Sequence, residues 1–287
     1  MIFGCTGNYH KSDFIDIVES INTYLKERDH EMILASNIVI DRSLPSILEI
    51  PTEHIENISS KCDVLLSIGG DGTILSTVRQ IGKEGIPILG IRIGHLGFLT
   101  ECTLDDYKTG LHKVINDEYE ITERILLEAS IGNHKLKKYY GLNEISIDRG
   151  SSRILNTNIH VSGNFLNNYQ SDGIIFATPT GSTAYSLSAG GPIIYPELEV
   201  ITVSPVCPHS LSARPIILSS NELISITFSE DQVGMNVTID GQNSIPVDYS
   251  QKITIRKADY TAKFITFPKN GFFERLRTKL LWSGNIK

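Results

Sequence analysis

The chain has 287 residues, 40% of them hydrophobic and 21% charged, with a formal net charge of -7. That length and balance allow a sizeable buried core in two domains or one large one. The acidic charge leaves no general footprint for nucleic acid and argues against docking on anionic lipid, so small-molecule partners come first.

In chain order, the strand-like Ile2-Phe3 precedes a segment in which Phe14, Ile15, Ile17, Val18, Ile21, Tyr24 and Leu25 recur at helical spacing, with Ser12 as a candidate N-cap. Val64-Leu65-Leu66-Ser67-Ile68 then reads as a buried strand, Thr73 to Lys83 as a helix, and Ile88 to Ile91, after Pro87, as a second strand. This βαβ alternation favours a parallel sheet. Leu104 to Asp117 carries Leu111, Val114 and Ile115 on one side and reads as the last helix of this half.

From Ile121 onward the texture changes to short β-rich runs: Leu126 to Ile131, Ile145 to Ile147, Ile174 to Phe176, Ile224 to Phe228 and Ile253 to Ile255. Helical spacing returns with Phe272, Phe273, Leu276, Leu280 and Leu281. The expected architecture is an α/β domain over residues 1–120, joined by a terminal helix at 268–287 that packs back on it, and an all-β domain over 121–267.

Cys5, Cys62, Cys102 and Cys207 are far apart and form no C-x-x-C pair, which predicts reduced, mostly buried thiols rather than a zinc site or disulfide framework. The N-terminus lacks a basic stretch followed by a long apolar one. No apolar run approaches the roughly 20 residues of a membrane span, so the expected address is the cytoplasm.

The apolar strand runs into Gly69-Gly70-Asp71-Gly72-Thr73. Missing Cβ atoms let backbone N–H groups approach a ligand closely, and the following helix adds its positive end, so the loop can cradle phosphate beside an ionised Asp71. A turn between strand and helix would use the same residues, and spacing alone does not decide. Neither the G-x-x-x-x-G-K-[ST] loop nor the G-x-G-x-x-G fingerprint is present.

Thr178 to Pro192 is small, hydroxyl-rich and poor in large apolar residues. Pro179 and the glycines restrain and open the backbone, Ser182, Thr183, Ser186 and Ser188 offer hydroxyls, and Tyr185 can lie against a flat base. A glycine-rich turn followed by a short helix is the plain alternative. Asn143-Glu144 can hydrogen-bond ribose hydroxyls or simply form a polar turn before the strand at Ile145. Asp172-Gly173 and Asp240-Gly241 are turn signals, the second most simply a hairpin, and Phe98 suits a core as well as a ligand platform.

Taken with Gly94-His95-Leu96-Gly97-Phe98-Leu99 and Ser171-Asp172-Gly173, these segments resemble, in order and approximate spacing over nearly the whole chain, the NAD kinase family. The GGDG loop alone is shared with diacylglycerol and sphingosine lipid kinases and 6-phosphofructokinases. The resemblance implies a Rossmann-like, phosphofructokinase-like core and transfer of the γ-phosphoryl of ATP to the 2'-hydroxyl of the adenosine ribose of NAD.

It implies Asp71 as the catalytic residue and Gly69, Gly70, Gly72 and Thr73 as the phosphate loop. For NAD it implies contacts from Asp71, Gly72, Phe98, Asn143, Glu144, Asp172, Thr183, Ala184, Tyr185, Ser186, Leu187, Ser188 and Gln242. His209 and Arg214 match the family in type, without a role.

Two positions depart from relatives. Thr73 stands where some have Asn, a position associated with phosphoryl-donor range that leaves inorganic polyphosphate open as a donor, and Arg92 stands where Asn or His is frequent. The eight histidines show no metal-ligand spacing, so magnesium is expected to arrive with ATP. The family also implies a homo-oligomer, a dimer or tetramer. The competing readings are a GGDGT-type lipid kinase and a catalytically silent dinucleotide-binding regulator.

Overall fold

In a computed structural model of the chain, the described residues are 1–11, 13–36, 49–94, 97–133, 136–150, 154–230, 232–268 and 271–282. They divide into two compact units, one formed by residues 1–123 and 262–287 and the other by residues 124–261. The expected N-cap Ser12 lies outside the described residues, as do His95 and Leu96.

The first unit contains, in chain order, β1 (Ile2–Gly7), α1 (Phe14–Lys26), β2 (Glu31–Ala35), β3 (Thr52–Glu53), α2 (Ile55–Ile58), β4 (Val64–Gly69), α3 (Asp71–Ile81), β5 (Pro87–Arg92) and α4 (Tyr107–Ile115). Its strands are parallel, in the order β3, β2, β1, β4, β5. The register sets Phe3 beside Val64 and Leu65 beside Ile88. Burial of all six β4 residues explains its continuous apolar run, since a parallel sheet carries helices on both faces. On α1, Phe14, Ile17, Val18, Ile21 and Leu25 are buried, while Ile15 and Tyr24 of the expected stripe are only half-buried.

Helix α3 begins at Asp71, two residues before the expected Thr73, because Gly70 is extended (φ -106°, ψ -173°) and serves as N-cap. The acidic side chain therefore stands in the first turn, against the positive end of the helix. Helix α4 starts three residues later than expected: the Asp106 carboxylate accepts from the N–H (2.5 Å) and hydroxyl (2.9 Å) of Thr103, holding the preceding residues in a turn.

The second unit continues from β6 (Glu120–Ile131) through β7 (Lys137–Gly141), β8 (Glu144–Arg149), β9 (Leu155–Val161), β10 (Asn164–Ser171) and β11 (Gly173–Ala177). A 3-10 turn at Thr180–Thr183 and the single-turn α5 (Tyr185–Ser188) follow. Then come β12 (Val200–Val206), β13 (Ile216–Ser219), β14 (Ile224–Phe228), β15 (Met235–Ile239), β16 (Asn243–Val247) and β17 (Ile253–Thr266). Six antiparallel strands lie in the order β13, β12, β11, β8, β15, β16. A second antiparallel run joins β10, β9, β14 and the start of β17. Inward residues of both runs, among them Ile145, Phe176, Val237, Ile159, Ile226 and Ile255, share one core.

The end of β17 returns to the first unit, where Lys263 and Phe264 pair in parallel with Pro87 and Ile88 of β5. The last helix, α6 (Phe272–Leu280), belongs to the same unit. Its apolar stripe does not pack as the spacing predicts: Leu276 is buried, whereas Phe273 is 60% and Leu281 is 82% exposed. The reason is polar. Arg275, one position from Leu276, donates to the carbonyls of Phe98 (3.3 Å) and Thr100 (3.2 Å) and pairs with Glu101, so this face is the one held inward.

Candidate active site

The sequence-predicted residues fall into two clusters, one in each unit. In the first unit the β4–α3 connection is the glycine loop. A Cβ on Gly69 would meet Thr73 Oγ1 at 2.3 Å, so the tight turn into α3 requires glycine there. At Gly70 an added Cβ would meet nothing within 4 Å, which leaves the loop surface open at that point.

Asp71 is held by a segment that follows β5. Its Oδ2 accepts from the Phe98 N–H at 2.8 Å and its Oδ1 from the Leu99 N–H at 3.1 Å. Gly97 makes this approach feasible, because a Cβ there would sit 2.0 Å from Asp71 Oδ1. The carboxylate thus has a fixed plane and retains lone pairs on both oxygens. Lys279 of α6 places its Nζ 3.6 Å from Asp71 Oδ2 and 4.5 Å from the centroid of the half-buried Phe98 ring. Arg92 points elsewhere, into a cleft lined also by Thr100, Cys102, Glu274 and Thr278.

In the second unit, Asn143 and Glu144 stand at the entry to β8, and their backbone is clamped by the β15–β16 hairpin turn. Asp240, in the left-handed region at φ +50°, accepts from the N–H groups of Leu142 (3.1 Å), Asn143 (2.7 Å) and Glu144 (3.2 Å). The hairpin at Asp240-Gly241 is therefore also a backbone cap. Gln242 sits exposed in the same turn, its N–H bonded to the Ile239 carbonyl at 2.9 Å.

Glu144 is 4% exposed, and its Oε2 has no hydrogen-bond partner. Burial, and then the charge of Asp240, push its carboxyl up to about 7, against a lowering contribution from the Tyr185 N–H. The half-buried Asn143 amide lies one residue away.

The loop from Thr178 to Ser188 packs directly on this pair. The Thr178 hydroxyl donates to the Leu142 carbonyl (2.6 Å) and accepts from the Gly181 N–H (3.1 Å), while the Thr178 N–H bonds to the Asn143 carbonyl at 2.9 Å. A Cβ on Gly181 would meet that carbonyl oxygen at 2.0 Å. Most of the loop's hydroxyls stabilise its own shape. Ser182 donates to the Pro179 carbonyl and accepts from the Ile194 N–H, Thr183 bonds to the Thr180 carbonyl at 3.3 Å, and the fully buried Ser186 bonds to Ser204 at 3.2 Å.

Tyr185 and Ser188 are exposed, with Ala184 and Leu187 half-buried beside them. Burial, then the charges of Asp148, Cys207, Asp172 and Glu144, raise the Tyr185 phenol, which sets Asp172 within electrostatic reach of this cluster.

The chain matches the ATP-NAD kinase N-terminal domain over residues 16–119 and the ATP-NAD kinase C-terminal domain over residues 142–267. The chain belongs to the NAD kinase family. Among its relatives is the NAD kinase of Thermoanaerobacter sp. strain X514, 38% identical over 280 residues, covering 96% of this chain and 98% of that protein. The NAD kinase of Clostridium botulinum strain ATCC 19397 is 42% identical over 232 residues, covering 80% and 82%.

The fold is similar to that of yeast NADH kinase complexed with NADH, with a TM-score of 0.89 at 26% identity, covering all of this chain and 89% of that one. It is also similar to an NAD kinase from Archaeoglobus fulgidus in complex with ATP, with a TM-score of 0.78 at 26% identity, covering 98% and 99%. Membership in the NAD kinase family disfavours both the lipid kinase and the silent regulator.

The glycine loop is legible in the sequence, but what holds it is not. Asp240 reads there only as a turn, and Arg275, Lys279, Gly97 and Thr178 carry no role. An Asp inside a hairpin turn is the one local signal that points to a cap.

Proposed function

We propose that the chain transfers the γ-phosphoryl of ATP to the 2'-hydroxyl of the adenosine ribose of NAD, giving NADP and ADP. The observation that carries this reading is Asp71, fixed through both carboxylate oxygens at the head of α3, in a chain of the NAD kinase family. Phosphoryl transfer requires positioning and charge neutralisation more than covalent chemistry. Asp71 orients the acceptor hydroxyl and takes its proton late, once bond formation has made the hydroxyl acidic. Gly69, Gly70, Gly72 and Thr73 cradle phosphate at the positive end of α3.

On the same reading, Asn143 and Glu144 take ribose hydroxyls of the dinucleotide. The unpartnered, buried Oε2 of Glu144 is the acceptor such a hydroxyl would satisfy. Asp172 holds an amide of NAD, Gln242 is a further contact, Phe98 lies at the nucleotide, Tyr185 lies against a base, and Thr183, Ala184, Ser186, Leu187 and Ser188 contact the dinucleotide beside it. Because the Ser186 hydroxyl is bonded to Ser204, its contribution is through the backbone.

Magnesium, when bound with ATP, neutralises charge on the phosphates. The ion would arrive with ATP and be held mainly by the nucleotide phosphates, with few protein carboxylates. Among the described residues no helix is long and apolar enough to cross a membrane. We place the protein in the cytoplasm as a homo-oligomer, a dimer or tetramer.

The test is incubation of the purified protein with NAD, ATP and magnesium, reading NADP by a dehydrogenase specific for it. NADP formation is expected. Phosphorylation of a diacylglycerol with no NADP would overturn the assignment. The same assay with inorganic polyphosphate in place of ATP reads the donor range associated with Thr73.

A further inference from the structure

The C-terminal helix is tied to the phosphate loop by more than packing. Arg275 clamps α6 to the carbonyls of Phe98 and Thr100 and to the Glu101 carboxylate, whose other oxygen accepts from the Phe267 N–H at 2.8 Å just ahead of the helix. The Phe98-Leu99 backbone so gripped from its carbonyl side is the one whose N–H groups hold Asp71.

One helical turn beyond Arg275, on the same face, Lys279 reaches back over the Phe98 ring, 4.5 Å from its centroid, to Asp71 Oδ2 at 3.6 Å. Its side chain is 34% exposed and that of Asp71 is 28% exposed. The ammonium is therefore neither sealed in a structural ion pair nor free in solvent. It is a positive charge delivered to the mouth of a loop whose own titratable group is an acid.

We propose that Lys279 is a positioning residue of the phosphate loop. Its charge offsets that of Asp71, so that the polyanionic tail of the phosphoryl donor can enter beside a carboxylate, and its stem over Phe98 fixes where that charge stands. The inference rests on the reading of Gly69 to Thr73 as the phosphate loop. An acid placed within a few ångströms of incoming phosphates repels them unless a cation accompanies it. A Lys anchored by an aromatic face supplies a compact point charge at little further loss of side-chain freedom.

The experiment compares wild type with Lys279→Met, which keeps a stem over Phe98 and removes the charge, and Lys279→Arg, which restores it. Steady-state kinetics with magnesium-ATP and NAD, and calorimetric binding of magnesium-ATP without NAD, are read on all three. Lys279→Met is expected to weaken ATP binding and raise the KM for ATP by about 10- to 100-fold, the range for loss of a charged partner. The KM for NAD should stay within about twofold, and Lys279→Arg should recover most of the ATP affinity.

Two outcomes overturn the proposal. In one, ATP binding by Lys279→Met equals that of wild type. In the other, ATP and NAD parameters worsen together with a falling melting temperature and no rescue by Arg, as a merely structural helix dock would give. The two readings fail separately. A wild-type protein that binds ATP but makes no NADP refutes the acceptor, while the ATP-binding comparison still decides the role of Lys279.

Discussion

Replacing Glu144 with Gln tests the second cluster through its electrostatics. The carboxyl is 4% exposed with an unpartnered oxygen, and burial followed by the Asp240 charge lifts it from an ordinary 4.5 to about 7. A folded-state value above the unfolded one means that the native chain binds this proton more tightly. The resulting stability is fully present below 4.5, declines from there, and is gone once pH has risen past about 7. At 1.36 kcal/mol for each tenfold in proton affinity, the full loss is about 3 kcal/mol.

The Glu144→Gln protein has no such titration. Between pH 5 and 8.5 the stability difference between the two proteins should therefore shift by about 2.5 kcal/mol in favour of the Gln variant. Urea unfolding of the ligand-free proteins at a series of pH values, followed by far-ultraviolet circular dichroism, measures it. Curves that run parallel within about 0.5 kcal/mol over that range would show a solvated carboxyl and refute the reasoning from burial. The same variant should raise the KM for NAD by about tenfold or more, since a ribose hydroxyl loses its charged acceptor. A substitution that removes the pH-dependent cost of a buried charge and yet weakens binding is the pattern expected of a group kept for function rather than stability.

Asp71→Asn should lower turnover by about 10²- to 10⁴-fold while equilibrium binding of NAD persists, and near-normal turnover would remove Asp71 from the role of base. Asp240→Ala leaves the N–H groups of Leu142, Asn143 and Glu144 without their acceptor and should cost about 3 kcal/mol or more of stability, read by thermal or urea unfolding. Gly97→Ala and Gly181→Ala form a contrasting pair. The first drives a methyl into Asp71 Oδ1 and should cut kcat by about 100-fold, as a displacement near 1 Å does. The second drives one into the Asn143 carbonyl and should act chiefly on the KM for NAD, so equal effects of the pair on both constants would contradict the separate roles assigned to the two clusters.

Much of the fold is legible where one kind of force dominates locally. The β4 run is apolar because a parallel strand is buried on both faces, and the glycines after it mark the turn into α3. Strands that alternate or lie at an edge are harder to see. β10 reads as a polar stretch, Asn164 to Ser171, because among the described residues it pairs with β9 alone and buries only Tyr169 and Ser171. β17 shows its apolar start at Ile253, but its further course to Thr266 mixes Lys, Tyr and Ala, whose burial is set by partners remote in sequence.

The site divides in the same way. Asp71, Asn143 and Glu144 are visible as functional types in suggestive loops. Their supports are not, because nothing near Leu142 signals a cap from Asp240, 98 residues away, and nothing near Phe98 signals a clamp from Arg275, 177 residues away. The partners of the Ser182 and Ser186 hydroxyls are hidden for a related reason. A loop without a hydrophobic core must satisfy its own backbone, as Ser182 does here, while Ser186 bonds to the hydroxyl of Ser204 on β12.

The motifs share one construction that bears on how such a site tolerates change. In each cluster a carboxylate from one segment caps the backbone of another: Asp71 takes the N–H groups of Phe98 and Leu99, and Asp240 takes those of Leu142, Asn143 and Glu144. In each, a glycine stands where a side chain would collide with its neighbour, Gly97 against Asp71 and Gly181 against Asn143. Backbone hydrogen bonds to a carboxylate are short and directional, so they place Asp71 and the Asn143-Glu144 pair more narrowly than apolar packing would. The glycines thus belong to the chemistry although they bear no functional group. The same logic gives the acid in Asp240-Gly241 a purpose that its turn propensity alone does not require, since any residue tolerant of φ +50° would close the hairpin, but only one with two acceptor oxygens would also hold β8 at its entry.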